Sequence, residues 1–126
     1  MLHHLSIPVT SIERSARFYD AALAALGYVR VQSDPDFVGY GCSGGGDRFA
    51  IRRISDRISV PGPGFHIAFA AESCEAVDAF HAAAVSHGGI DNGRPGPRPR
   101  YGPRYYAAFV LDPDGYRLEA VINPRD

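Results

Sequence analysis

The sequence predicts an α+β fold made of two βαβββ units. Short segments with alternating apolar and polar residues, typical of half-buried strands, surround two segments whose apolar residues follow helical spacing. The order of these segments repeats along the chain. When residues 4–27 are placed on residues 66–89, the positions that coincide include His4 with His66, Ser11 with Ser73, Phe18 with Phe80 and Gly27 with Gly89. A repeat of this length indicates a duplicated unit instead of a solenoid array.

The length and composition are those of a single domain. With 126 residues, of which 45% are hydrophobic and 21% charged, the chain can bury a core but cannot form two ordinary domains. We therefore expect one domain over 1–126, with a first unit over about 1–58 and a second over about 64–123. The segment between them, SVPGPG, has the composition of a linker.

The charge, the absence of Lys and the cysteine spacing exclude several classes of partner and of catalytic site. The net charge of −1 gives no general attraction to nucleic acid or to an anionic membrane. Every cationic side chain is Arg, and the absence of Lys excludes a Schiff-base lysine and a P-loop lysine. Cys42 and Cys74 form no CxxC pair. The sequence has no leader pattern, and no apolar run reaches the ~18 residues that a membrane span needs. We expect a soluble cytoplasmic protein.

The first unit opens with a strand and a capped helix. Residues 3–9 alternate in polarity, and Thr10 or Ser11 can cap the helix that follows, with Glu13 completing a capping box. Gly27 offers a C-terminal stop. Three short strands are then predicted, over residues 28–33, 37–42 and 48–54.

The second unit begins with the same pattern of strand, cap and helix. Residues 64–70 predict a strand, and a helix is expected from near Ser73 to the stop at Gly88 and Gly89. The remaining segments are a Pro-, Gly- and Arg-rich loop over 91–104 and two strands, 105–111 and 116–122, joined by the turn DPDG.

Three side chains on the strand faces point to a metal. His4, His66 and Glu119 lie on small or polar faces, opposite apolar faces that should pack against the helices. Two units side by side would form a cupped mixed sheet with its helices on the outer face, and the concave side would gather these three groups. Two imidazoles and a carboxylate suit a divalent ion such as Zn, Ni, Mn or Fe. The alternative is structural histidines that bond to backbone carbonyls.

Three segments, "HHLSIPVTSIERSARFYDAALAALGY", "GFHIAFAAES" and "YYAAFVLDPDGYRLEAV", resemble the vicinal oxygen chelate superfamily. It holds glyoxalase, bleomycin-resistance and extradiol-dioxygenase proteins. The resemblance implies a glyoxalase-like fold, metal ligands at His4, His66 and Glu119, and a homodimer whose cup forms within one chain or across two. Lactoylglutathione lyases of this family use a fourth ligand, a Glu, where this sequence has Ala50. This departure disfavours a plain methylglyoxal isomerase.

The leading functional hypothesis is a divalent-metal-dependent enzyme of the lyase or isomerase type, acting on a small oxygen-bearing molecule. The metal would act as a Lewis acid. Glu119 released from the metal, a metal-bound water, or Tyr106 could serve as the base. The alternative is a metal-free small-molecule binding protein of the bleomycin-resistance type, and a third option is an Fe(II) dioxygenase.

Substrate contacts are expected from the loop before residue 105. Tyr105, Arg100 and Arg104 could form a flap in which arginines pair with an anionic group. Arg52 shares a strand face with Ala50 and is a second candidate for an anion contact. By analogy with the strand that holds Glu119, Tyr106 is expected to face the pocket.

Overall fold

The computed structural model describes residues 1–124, which form eight strands and two helices. In chain order they are β1 (Leu5–Pro8), α1 (Ile12–Ala24), β2 (Val29–Asp34), β3 (Phe37–Gly41), β4 (Phe49–Arg52), β5 (Ile67–Ala70), α2 (Cys74–Ser86), β6 (Ile90–Pro97), β7 (Tyr106–Leu111) and β8 (Arg117–Ile122). The order βαβββ occurs twice, so the predicted α+β class is confirmed. Within the described residues, neither helix is long and apolar enough to cross a bilayer.

The eight strands form two four-stranded mixed sheets of matching topology. Their orders are β1-β4-β3-β2 and β5-β8-β7-β6. In each sheet the first pair is parallel and the other two pairs are antiparallel. The helix of each unit packs on its own sheet, and α1 also packs against α2. The strand that precedes each helix forms one edge of its sheet, and the strand that follows the helix forms the other edge.

Both helices begin at the predicted serine caps. The Ser11 side chain accepts a hydrogen bond from the backbone N–H of Arg14, and Ser73 accepts one from Ala76. These bonds satisfy N–H groups that have no partner inside the helix. An aromatic pair then joins the two units, because the rings of Phe49 on β4 and Phe69 on β5 meet edge to face with centroids 5.2 Å apart.

The prediction of a loop over 91–104 is wrong for its first half. Residues 90–97 form β6, which pairs with β7 across register shifts between Asp91 and Gly93 and between Gly93 and Gly96. The sheet tolerates Pro95 and Pro97 in this strand because β6 is an edge strand, where one row of backbone groups needs no partner. The irregular pairing leaves no period-two pattern in the sequence.

The DPDG turn between β7 and β8 also binds the first unit. Asp114 accepts hydrogen bonds from the backbone N–H of Thr10 at 3.1 Å and from its hydroxyl at 2.6 Å, and Arg14 donates to the same carboxylate. The phenol of Tyr116 donates to the Pro8 carbonyl at 2.7 Å. The turn of one unit therefore fixes the junction between β1 and α1 of the other.

Asp112, the first residue of this turn, is a buried structural carboxylate, 2% exposed. It accepts hydrogen bonds from the Tyr19 phenol at 2.6 Å and from the backbone N–H groups of Asp114 and Tyr116. Burial raises the pKa of Asp112, while these three hydrogen bonds act to lower it. The carboxylate links α1 to the β7–β8 turn from inside the core.

Replacing Ser15 on α1 by alanine should stabilise the protein. The Ser15 side chain is 0% exposed, and its hydroxyl oxygen has no hydrogen-bond partner among residues 1–124. Removing an unpaired buried hydroxyl, and gaining helix propensity, should raise the free energy of unfolding by about 1 kcal/mol. Urea unfolding measures this. As a control, the N-cap change Ser11→Ala should lower the free energy of unfolding by about 1 kcal/mol. A loss of stability in Ser15→Ala would show that the Ser15 hydroxyl has a hydrogen-bond partner.

Candidate functional site

Glu119 lies in the middle of the second sheet. Its strand, β8, runs between β5 and β7, and its cross-strand neighbours are Ala68 on β5 and Phe109 on β7. Residues opposite one another on paired strands share a face of the sheet, so these three side chains lie together on the face away from α2. The Glu119 side chain is only 2% exposed. A carboxylate buried to this extent needs polar partners.

Two side chains supply those partners. The Nε2 atom of His66, just before β5, lies 3.0 Å from Oε1 of Glu119, and the Tyr105 phenol donates a hydrogen bond to Oε2. Burial, and then the hydrogen bond to Glu119, raise the pKa of Tyr105 to about 12. Tyr105 is therefore a protonated donor at neutral pH. The His66 side chain is half exposed and reaches the surface.

The pair lies in an open pocket of about 460 Å³ on the second unit. Six residues line it: His66, Tyr101, Tyr105, Phe109, Glu119 and Asn123. Three of them are aromatic, and the rings of Tyr101 and Tyr105 are 5.3 Å apart. The Arg100 guanidinium lies over the Tyr101 ring at 5.0 Å and donates to its hydroxyl. The pocket thus combines apolar walls with a buried carboxylate, and the Arg100 cation lies on one of its wall residues.

The predicted orientation of Tyr106 is wrong. Its hydroxyl donates to Asp78 on α2 at 2.7 Å, so the side chain faces the helix and not the pocket. The register explains this: Phe109 pairs with Glu119 and Tyr106 with Ile122, so the odd-numbered residues of this segment share the face of Glu119. Five residues, 112–116, lie between the paired Leu111 and Arg117, and this odd number places Tyr105 on the face of Glu119. A turn of only the four residues DPDG would have placed Tyr106 there.

His4 does not join His66 and Glu119 within the chain. It is exposed, lies just before β1 on the first unit, and its Nδ1 atom is 2.8 Å from Nδ1 of its neighbour His3. Among residues 1–124, no three His, Cys, Asp or Glu side chains are grouped closely enough to hold a metal ion. The structure therefore brings together two of the three predicted ligands.

The predicted anion contacts also divide between the two units. Arg100 contacts Tyr101, which lines the pocket, and Arg104 belongs to the same β6–β7 connection. Arg52 is exposed at the end of β4, with its guanidinium over the Phe37 ring at 5.0 Å, so it lies outside this pocket. Ala50, at the position of the fourth glyoxalase ligand, is 0% exposed. Asn123, which directly follows β8, lines the pocket. It was not predicted from the sequence because it belongs to no motif.

The His66–Glu119 pair fits a divalent cation as two of its ligands. Imidazole nitrogen and carboxylate oxygen are donors that Zn²⁺, Mn²⁺, Fe²⁺ and Ni²⁺ share. Two neighbouring donors on one such ion, with bonds of about 2.0–2.2 Å, are roughly 3 Å apart in octahedral geometry and about 3.4 Å apart in tetrahedral geometry. The observed separation of 3.0 Å between Nε2 and Oε1 matches the octahedral value, and it is also the length of a direct imidazole–carboxylate hydrogen bond.

Comparisons with known proteins identify the family. The profile of the Glyoxalase/Bleomycin resistance protein/Dioxygenase superfamily matches residues 1–120. A glyoxalase/bleomycin resistance protein from Albidiferax ferrireducens T118 is 33% identical, with a TM-score of 0.83 over 98% of this chain and 99% of that one. A glyoxalase-related enzyme from Fulvimarina pelagi shares the fold, with 22% identity and a TM-score of 0.75 over 98% and 88% of the two chains. No curated protein sequence matches. This chain belongs to the Glyoxalase/Bleomycin resistance protein/Dioxygenase superfamily.

Proposed function

We propose that this protein is a divalent-metal-dependent enzyme of the lyase or isomerase type that acts on a small oxygen-bearing molecule. The observation that carries the proposal is the buried Glu119 carboxylate, 3.0 Å from the half-exposed His66 imidazole in an open pocket. Burying a carboxylate costs of order several kcal/mol unless its charge is compensated. A cation held by this pair would provide that compensation where a substrate can reach it.

The third ligand we propose is His4 of a second copy of the chain. His4 is exposed, on the polar face beyond β1, and is therefore free to approach another molecule. The pocket is open and is lined by the second unit alone, so the first unit of another copy could close it. Arg52 belongs to the same unit as His4 and would enter the site with it as an anion contact. A symmetric homodimer would then contain two equivalent sites.

The bound metal would supply Lewis-acid polarisation of a substrate oxygen. The chain's own residues would bind and orient the substrate. The rings of Tyr101 and Phe109 provide apolar walls, and Arg100 and Arg104 are the proposed contacts for an anionic group. Glu119 would act as the base for proton transfer only when released from the metal, and Tyr106 cannot take this role because it faces α2.

Metal content tests the proposal. Protein purified without chelator should contain close to one metal ion per chain by elemental mass spectrometry, and Glu119→Ala and His4→Ala should each lose it. Refolding these two variants together should restore roughly one quarter of the wild-type content, because half the dimers would be mixed and each would have one intact site. No restoration would contradict a site shared between copies. Wild-type protein that takes up none of Zn²⁺, Ni²⁺, Mn²⁺ or anaerobic Fe²⁺ would overturn the metal proposal.

A metal-free binding protein is the second candidate, favoured by the three aromatic rings in the pocket and by the lack of a third ligand nearby in the described chain. Saturable binding of an aromatic or anionic compound that EDTA does not change would support it, whereas chelator-sensitive binding would contradict it. If the metal is iron, oxygen consumption with a catechol-like compound would indicate a dioxygenase.

A further inference from the structure

We propose that Tyr105 is a positioning residue that holds the Glu119 carboxylate in place for metal binding. The inference rests on the proposed function and concerns a residue that does not itself bind the ion. In this role the β6–β7 connection, residues 98–105, fixes the orientation of a metal ligand on β8.

The two oxygens of Glu119 have different partners. Oε1 lies beside Nε2 of His66, and Oε2 accepts the hydrogen bond from the Tyr105 phenol. A carboxylate can otherwise rotate about its last side-chain bond, because that torsion has a broad, two-fold profile. With Tyr105 on one oxygen, the other stays directed at His66. Hydrogen-bonding partners of metal-binding carboxylates commonly set ligand orientation in this way.

Tyr105 is itself held on several sides. Its backbone N–H donates to the Gly102 carbonyl at 3.3 Å, and its carbonyl accepts from the Arg98 N–H at 2.8 Å, which closes the base of the connection. Its ring packs on Tyr101, whose ring also lies under the Arg100 guanidinium. The phenol is therefore supplied by an ordered turn, so it can position the carboxylate before any ion binds.

The adjacent residue provides a matched control. Tyr106 also has a hydroxyl in a hydrogen bond to a carboxylate, that of Asp78, but on the opposite face of the sheet. Tyr105→Phe and Tyr106→Phe each remove one oxygen, at successive positions of the chain, and leave the ring. A difference between them in metal binding isolates the contact with Glu119 from general loss of stability.

The experiment is a titration of the purified full-length chain with Co²⁺ alone, in competition with a chromophoric chelator, together with the visible absorption spectrum of the bound ion. Tyr105→Phe should bind Co²⁺ about 10–100-fold more weakly than wild type and with an altered ligand-field spectrum. Tyr106→Phe should bind within about twofold of wild type with an unchanged spectrum. Thermal unfolding of the metal-free variants shows whether both remain folded.

Three results would overturn the inference. The first is Tyr105→Phe with wild-type affinity and spectrum. The second is equal weakening in both variants, which would indicate a structural role. The third is recovery of wild-type affinity in Tyr105→Phe when stability is restored by an unrelated change such as Ser15→Ala. Wild-type protein that binds no Co²⁺ would instead overturn the proposed metal function, so the two failures are distinguishable.

Discussion

Replacing Asp112 by alanine is expected to lower the free energy of unfolding by about 3 kcal/mol or more. The change leaves three donors without their acceptor: the fully buried phenol of Tyr19 and the backbone N–H groups of Asp114 and Tyr116. Each unpaired buried donor costs of order 1–3 kcal/mol. Relief of the carboxylate's own burial, which raises its pKa in the folded protein, offsets part of this.

Urea unfolding followed by circular dichroism measures the effect as a lower midpoint at an unchanged slope. Asp36→Ala is the control, since Asp36 is exposed in the turn between β2 and β3, and its loss should be within about 0.5 kcal/mol. A loss below about 1 kcal/mol in Asp112→Ala would contradict the role assigned to this carboxylate.

Replacing Glu119 by glutamine is expected to weaken metal binding by at least about 100-fold while the fold survives. Glutamine has nearly the same volume, and its amide oxygen can still accept the hydrogen bond from Tyr105. The neutral amide, however, no longer provides the anionic oxygen beside His66 that a divalent ion prefers. The measured quantity is the dissociation constant for Zn²⁺ by chelator competition, with the unfolding midpoint recorded for the same sample.

Glu75→Gln is the matched control, because Glu75 is exposed on the first turn of α2 and should leave the zinc affinity unchanged. Zinc affinity in Glu119→Gln equal to that of the wild type would remove Glu119 from the ligand set. Loss of folding in Glu119→Gln would show that the negative charge is part of the core's own structure.

The sequence predicted both helices and every strand except β6, because local rules determine these elements. Ser11 and Ser73 satisfy the first N–H groups of the helices, and these caps are visible without any tertiary information. The proximity of His66 to Glu119 could also be predicted from the sequence. His66 is two residues before Ala68, the cross-strand neighbour of Glu119, so all three share one face. Alternation along the strand places His66 on the face of Ala68, and the repeat of the unit together with the family resemblance indicated that Glu119 is close by.

The remaining parts of the site depend on tertiary contacts. The side of β7 that faces the pocket follows from its register with β8. The prediction for Tyr106 relied instead on an analogy between the two strands and assigned Tyr106 to the wrong side. The separation of His4 from the pocket follows from how the two units meet. That arrangement is set by contacts such as Asp114 with Thr10 and Phe49 with Phe69, which leave no periodic pattern in the sequence.

The edge strands β2 and β6 have a consequence for the behaviour of the protein at high concentration. Each ends its sheet, and each pairs with its neighbour across a register shift, at Arg30 in β2 and on both sides of Gly93 in β6. A straight, unpaired edge is a template on which another chain can add a strand and begin a fibril. Irregular edges, one of which contains two prolines, are poor templates. The same irregularity that leaves no period-two pattern in β6 therefore makes this edge a poor template for a further strand.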